Sequence, residues 1–177
     1  MCNLIKDFYS RMGLWEEHWV SLSVRDYEHP EKYIGEKCDW DLCEKMLEEI
    51  SNELNLDAKR CEGEAALYGP KLDFMFKDAL GREIQIPTVQ LDFATPKRFG
   101  LFYIDENGEK QTPVMVHRAV LGSYERFLVL LLEQFKGVLP VWLSPVQVNI
   151  IPVNIKYHDE YCKKLFDILN NEDIRVQ

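Results

Sequence analysis

The chain has 177 residues, with 21 Lys and Arg against 30 Asp and Glu, a net charge of -9. That is the size of one domain with a piece of another, and the charge argues against a whole-surface grip on nucleic acid, whose affinity rests on phosphate neutralisation. A composition 46% hydrophobic and 12% aromatic excludes wholesale disorder. The longest apolar run, 127–132, falls far short of the roughly 20 residues of a spanning helix, and residues 1–8 carry no basic leader, which predicts a cytoplasmic protein that neither spans a membrane nor is secreted.

Five cysteines, Cys2, Cys38, Cys43, Cys61 and Cys162, are odd in number and match no metal-ligand spacing, so free thiols in a reducing compartment are expected. Residues 1–80 hold 10 basic and 18 acidic side chains, leaving 11 and 12 of the totals to 81–177. Anionic ligands are therefore expected on the second part.

In chain order, residues 3–12 read as a short amphipathic helix ended by Gly13, and 19–24 as a strand with Val20, Leu22 and Val24 on one face. Asp39 is placed to cap a helix over 40–54, with Leu42, Met46, Ile50 and Leu54 forming its stripe and Glu44, Glu48, Glu49 and Glu53 facing water. Residues 63–70 show no period. Leu72, Phe74 and Phe76 then alternate with Asp73, Met75 and Lys77, and 78–81 form a turn, so an antiparallel hairpin follows.

The returning strand, 83–93, changes phase between Ile84, Ile86 and Val89, Leu91, Phe93, which a bulge near Pro87 explains. Thr88, Gln90 and Asp92 then share one polar face. Further strands are expected at 100–104 and 112–116, joined by a turn over 105–110, so the middle of the chain is a mostly antiparallel sheet.

A helix is predicted over 118–135, with Arg118, Gly122 and Arg126 on one face and Val120, Leu121, Tyr124, Phe127, Leu128 and Leu131 on the buried side. Gly122 and Ser123 are poor helix formers, so something must approach closely there. The spacing suits either an anion beneath a guanidinium or a helix seated tightly on a sheet with its arginines paired to acids. A strand at 146–153, a helix at 156–169 and a strand start at 174–177 read as a truncated β-α-β unit, so the chain is expected to be a piece of a longer protein.

These residues carry a resemblance. The segment 62–93, with GEAALYGPKLDF and TVQLDF, followed by PVMVHRAVLGSYERF at 113–127, resembles the threonyl-tRNA synthetases, and EKYIG (31–35) and PVWLSPVQV (140–148) extend the likeness over nearly the whole chain. The resemblance implies an α+β fold built on a class II synthetase sheet flanked by helices. Residues 1–143 would be the C-terminal portion of the catalytic core, and 144–177 the start of an anticodon-binding domain. It also implies threonine, ATP with Mg and tRNA as substrates, and a homodimer formed through a motif 1 that this sequence lacks.

Residue by residue, Arg126 matches the motif 3 arginine on ATP, and Ser123, Gln85 and Thr88 match positions lining the nucleotide. Tyr68 and Lys71 match residues near the amino acid and the phosphates; Gln90 lies on the same face. His117 resembles a ligand of the family's zinc, whose other two ligands have no counterpart here, nor has the motif 2 arginine. Ile86 and Pro87 stand where the family usually has a small polar residue and glycine, and Ala65 and Leu67 where glycine and phenylalanine are more usual. The resemblance implies a threonine–tRNA ligase whose isolated chain is inactive; the alternatives are a non-catalytic binding or regulatory module and one half of a split protein.

Overall fold

The computed structural model describes residues 1–177. Cα packing divides the chain into two compact units, 1–131 and 132–177. The first unit is α+β around a five-stranded sheet in the order β2-β1-β3-β4-β7, with β1 Trp19–Val24, β2 Lys59–Glu62, β3 Lys71–Lys77, β4 Glu83–Asp92 and β7 Met115–Ala119. Only β1 and β2 run parallel; the other pairings are antiparallel. A separate two-stranded hairpin joins β5 Tyr103–Ile104 to β6 Lys110–Gln111.

The β3–β4 hairpin is built as its sequence indicates. Asp78 accepts from the backbone N–H groups of Leu80 (2.9 Å) and Arg82 (2.8 Å), and Gly81 supplies the positive φ of the turn. Asp73 pairs with Thr88 and Met75 with Gln85, so two residues of β3 span three of β4 and the extra one lies at Ile86–Pro87. That bulge returns Gln85, Thr88 and Gln90 to the same face although the apolar phase changes. Val20, Leu22, Leu72, Phe74, Val89 and Leu91 form the opposite, buried face.

Helix α1, Cys2–Arg11, lies on the apolar side because Cys2, Ile5 and Tyr9 recur at helical spacing. The Tyr9 ring stacks on Phe76 at 4.6 Å, and its hydroxyl donates to the Val120 carbonyl at 2.9 Å. Burying each such side chain contributes about 1.5–3 kcal/mol. Helix α2, Lys37–Glu53, has its N-cap position at Glu36 rather than Asp39 and buries Trp40, Cys43, Glu44, Leu47 and Ser51, whereas Leu42 and Met46 are exposed. The face is rotated from the expected stripe because Glu44 is drawn inward to the buried Arg25 guanidinium (3.7 Å) and to Arg60 (2.9 Å). An acidic residue expected in water is thus a buried ion-pair partner.

The largest departure follows β7. Residues 118–123 are not helical: Arg118 and Ala119 belong to β7, Gly122 has φ +64°, and α4 runs over Tyr124–Gln134. Arg118, Gly122 and Arg126 therefore share no helix face. Of the side chains expected to be buried here, Phe127 and Leu131 are, while Tyr124 and Leu128 are exposed. Two elements had no signal in the sequence, β2 and the short helix α3, Ala94–Arg98. The hairpin expected from strands at 100–104 and 112–116 is the shorter pair β5 and β6, and β7 begins only at Met115 and pairs with β4.

In the second unit, α5 spans Ile155–Asn171 and is capped by Asn154, whose side chain accepts from the Lys156 N–H at 3.0 Å. The strand expected at 146–153 is reduced to a parallel bridge between Val148 and Val176, fastened by Gln147 N–H to the Arg175 carbonyl and Ile150 N–H to the Gln177 carbonyl, both 2.8 Å. This is the start of a β-α-β pairing around one helix. No helix is long and apolar enough to cross a membrane.

His18 links this packing to pH. Its ring lies 3.7 Å from Trp15 and stacks on Phe76 at 5.9 Å, while Nδ1–H donates to the Trp15 carbonyl. Burial pushes the imidazole pKa below its ordinary 6.5, outweighing that hydrogen bond. The unfolded chain therefore takes up this proton first as pH falls, so the stability His18 confers is full above 6.5 and is lost below it. Urea midpoints measured downward from neutral pH should fall, and His18→Gln should flatten that slope. An unchanged slope would assign the pH dependence elsewhere.

Candidate functional site

The polar face of the sheet centres on Asp73, a β3 residue only 3% exposed. Its carboxylate accepts from Ser23 Oγ (2.9 Å), Thr88 Oγ1 (2.8 Å) and Gln85 Nε2 (2.5 Å), and pairs with Lys71 Nζ. Ser23 comes from β1, Lys71 from β3, and Gln85 and Thr88 from the two sides of the bulge, so one buried carboxylate ties three strands. A buried charge persists only when paired and hydrogen-bonded in this way.

Toward β7, Gln90 pairs in register with both Lys71 and His117. Tyr68 donates to Gln90 Oε1 at 3.4 Å, whereas Gln90 Nε2 is buried and has no hydrogen-bond partner. Buried amide donors are ordinarily satisfied, and leaving one unmade costs about 1–3 kcal/mol. Tyr68 also meets the His117 ring edge-on at 5.7 Å. Next along β4, Asp92 Oδ2 lies 2.8 Å from His117 Nε2, and its Oδ1 accepts from the N–H groups of Ala94 (3.0 Å) and Thr95 (2.8 Å). Burial pushes the Asp92 carboxyl pKa up, but hydrogen bonds from His117 and Thr95 outweigh it and hold the group below its ordinary value.

The opposite end of β4 meets the start of α4. Arg126 Nη1 donates to the Gln85 carbonyl at 3.4 Å, and Ser123 Oγ accepts from the Arg126 N–H at 3.2 Å, as an N-cap hydroxyl does. Arg126 thus lies against the strand that carries Gln85, Thr88 and Gln90. Gly122 is required here: a Cβ would stand 2.7 Å from the Ile86 carbonyl oxygen at a positive φ. The close approach expected at Gly122 is therefore the bulge backbone itself, and Ile86 and Pro87 form the surface on which the 119–123 turn seats.

One glycine and one proline place the Tyr68 loop. Gly69 is buried with its missing Cβ direction filled by the Leu91 carbonyl, and the Leu91 N–H donates to the Pro70 carbonyl at 3.1 Å. Tyr68 and Lys71, on either side of this contact, are thereby held along β4.

Of the residues singled out in the sequence, Tyr68, Lys71, Gln85, Thr88, Gln90 and His117 lie along β3, β4, β7 and the adjoining loop, with Ser123 and Arg126 at the Gln85 end. In the sequence the central Asp73 stands out only as the polar phase of an alternating strand. That phase was its signal, because Asp73 shares a sheet face with Thr88. Ser23 gave none beyond its position between Leu22 and Val24.

A zinc ion, implied by the resemblance, would find one suitable donor here, the His117 imidazole. No three His, Cys, Asp or Glu side chains converge anywhere in the chain, and all five cysteines are unpaired, with Cys2 and Cys43 buried. The residues present do not make up a catalytic zinc shell, which takes three protein ligands, so no chemistry is derived through a metal.

The model of the "tRNA synthetase class II core domain (G, H, P, S and T)" matches residues 1–135. A threonine–tRNA ligase from Staphylococcus epidermidis is 46% identical over 175 residues, covering 99% of this chain and 27% of that protein. One from Staphylococcus aureus is 45% identical over 174 residues, covering 98% and 27%. The crystal structure of the RNA binding domain of threonyl-tRNA synthetase from Cryptosporidium parvum superposes with a TM-score of 0.85 at 34% identity, covering 99% of this chain and 42% of that one. The chain thus spans about a quarter of the length of the curated relatives it matches, 27%. With three quarters of its residues inside the matched model and a sheet that superposes on a threonyl-tRNA synthetase structure, the chain belongs to the class II tRNA synthetase core-domain family.

Proposed function

We propose that the chain is part of a cytoplasmic threonine–tRNA ligase: residues 1–143 the C-terminal portion of its catalytic core, and 144–177 the start of its anticodon-binding domain. Such an enzyme joins threonine to ATP as an adenylate, releasing pyrophosphate, and passes the threonyl group to the terminal ribose of tRNA. Chemistry of this kind is driven by positioning and by neutralising phosphate charge. The polar face of the sheet suits that task.

Arg126 supplies a fixed guanidinium for phosphate oxygens and for stacking on the adenine. Gln85, Thr88 and Ser123 line the nucleotide ribose and adenylate, and Lys71 serves the phosphate region, with Mg accompanying ATP. Tyr68 and Gln90 meet the amino acid beside His117. The observation that carries this reading is the buried, unpartnered Gln90 Nε2 beside Tyr68 and His117. A donor left unmade inside an otherwise satisfied network is what a bound substrate oxygen would complete.

Calorimetric titration with Mg·ATP tests the nucleotide half. Arg126→Ala should weaken binding on the order of 10- to 100-fold, the effect of losing one hydrogen bond to a charged group. ATP affinity unaffected by the substitution would remove Arg126 from the site.

A further inference from the structure

Asp92 lies on the polar face but has no role in the reading above, and its surroundings assign one. It is 1% exposed and presents its two oxygens in different directions. Oδ1 caps the turn into α3 through Ala94 and Thr95, while Oδ2 meets His117 Nε2 at 2.8 Å. We propose that Asp92 is a positioning residue that fixes His117 in its Nε2–H tautomer, so that the imidazole meets a ligand with the Nδ1 lone pair.

An ionised carboxylate is acceptor-only, so the ring nitrogen facing it must carry the proton. A neutral imidazole has one N–H, and the other nitrogen is then an acceptor. The His117 ring makes no other hydrogen bond, and 41% of the side chain is exposed. Tyr68, edge-on at 5.7 Å, restricts the ring from a second side. The Nδ1 edge is thus the free one. A carboxylate behind a histidine commonly sets which ring nitrogen is offered to a ligand. The order of the chain supports the arrangement: Asp92 ends β4, where the strand gives way to a helical turn, so its carboxylate is held by backbone donors before His117 is added.

This inference rests on His117 belonging to the substrate site, but its test needs no ligand, so its failure would leave the nucleotide reading standing. Two-bond proton–nitrogen correlation spectra of the chain with nitrogen-15 histidine, at about pH 8 where imidazoles are ordinarily neutral, report the tautomer of His117, assigned by its loss in His117→Gln. The unsubstituted chain should show the Nε2–H form. Asp92→Asn keeps an oxygen for Ala94 and Thr95 but turns an NH₂ toward His117, which should invert the population to Nδ1–H. In Ser-His-Asp enzymes the equivalent exchange leaves geometry intact and produces the wrong tautomer.

Where Asp92→Asn fails to fold, Asp92→Ser provides the second variant: it retains a capping oxygen, is too short to reach His117, and should give a tautomer mixture. A predominant Nδ1–H form in the unsubstituted chain would overturn the proposal, and so would a folded Asp92 variant whose His117 spectrum is unchanged.

Discussion

Gly69→Ala should abolish the Tyr68 side of the site and cost about 3 kcal/mol or more, the upper end of overpacking penalties. A Cβ there would stand 1.7 Å from the Leu91 carbonyl oxygen and 2.8 Å from its carbon. Both atoms belong to β4, a strand paired on both sides, so they cannot move aside as the tip of a side chain would. The loop must move instead, carrying Tyr68 from Gln90 and His117, and straining the Leu91 N–H to Pro70 carbonyl bond. Gly13→Ala is the gauge for this measurement: it has a positive φ of 67° with nothing within 4 Å of the added carbon, so it should cost only the left-handed penalty of about 1–2 kcal/mol. Urea unfolding of both variants decides the matter, and Gly69→Ala no worse than Gly13→Ala would show that the loop is not locked against β4.

Asp73→Ala should be comparably severe, because one residue satisfies four donors. Without it the Lys71 ammonium loses its counter-charge, and Ser23, Gln85 and Thr88 lose their shared acceptor. Removing one partner of a buried ion pair costs about 3–5 kcal/mol; Lys71 retains some exposure, 17% of its side chain, which argues for the lower end. Asp73→Asn keeps one acceptor oxygen but loses the charge and should fall between. The same variants should lose Mg·ATP affinity, because Gln85, Thr88 and Lys71 are oriented only through this carboxylate. An Asp73→Ala chain destabilised by less than about 1 kcal/mol, with nucleotide binding intact, would refute the hub.

Gln85, Thr88, Gln90 and Asp92 converge although the strand contains a proline and an apolar phase change. The bulge is the reason. A regular ladder would have sent Gln85 to the opposite face from Thr88, since they are three positions apart and side chains alternate with period two. The extra residue at Ile86–Pro87 corrects that mismatch and offers the Ile86 carbonyl on which Gly122 rests. Ile86 and Pro87 have no partner in the β3 ladder, and the Ile86 backbone is engaged instead by Gly122.

Elements whose information is local could be read from the sequence by itself. Strand β1, the β3–β4 hairpin with its Asp78 turn and Pro87 bulge, helix α1 and helix α5 each follow from periodicity and turn chemistry within a dozen or so residues. So does the polar row on β4, whereas the motif around His117 and Arg126 is legible only through the resemblance. Tertiary structure decided what depends on a distant partner. The apolar spacing of 118–131 is helical, yet 118–119 were claimed by the Val89 and Thr88 ladder, and Gly122 was bent by the Ile86 carbonyl. Likewise α2 turned to satisfy the buried Arg25 through Glu44, and Val148 gained only a bridge because its one partner here is Val176. Asp73 became the centre of the site, and Asp92 the support of His117, through partners from 12 to 50 positions away. Local propensity is worth tenths of a kcal/mol per residue, whereas an unpaired buried charge or a backbone clash costs several, so the long-range term wins wherever the two conflict.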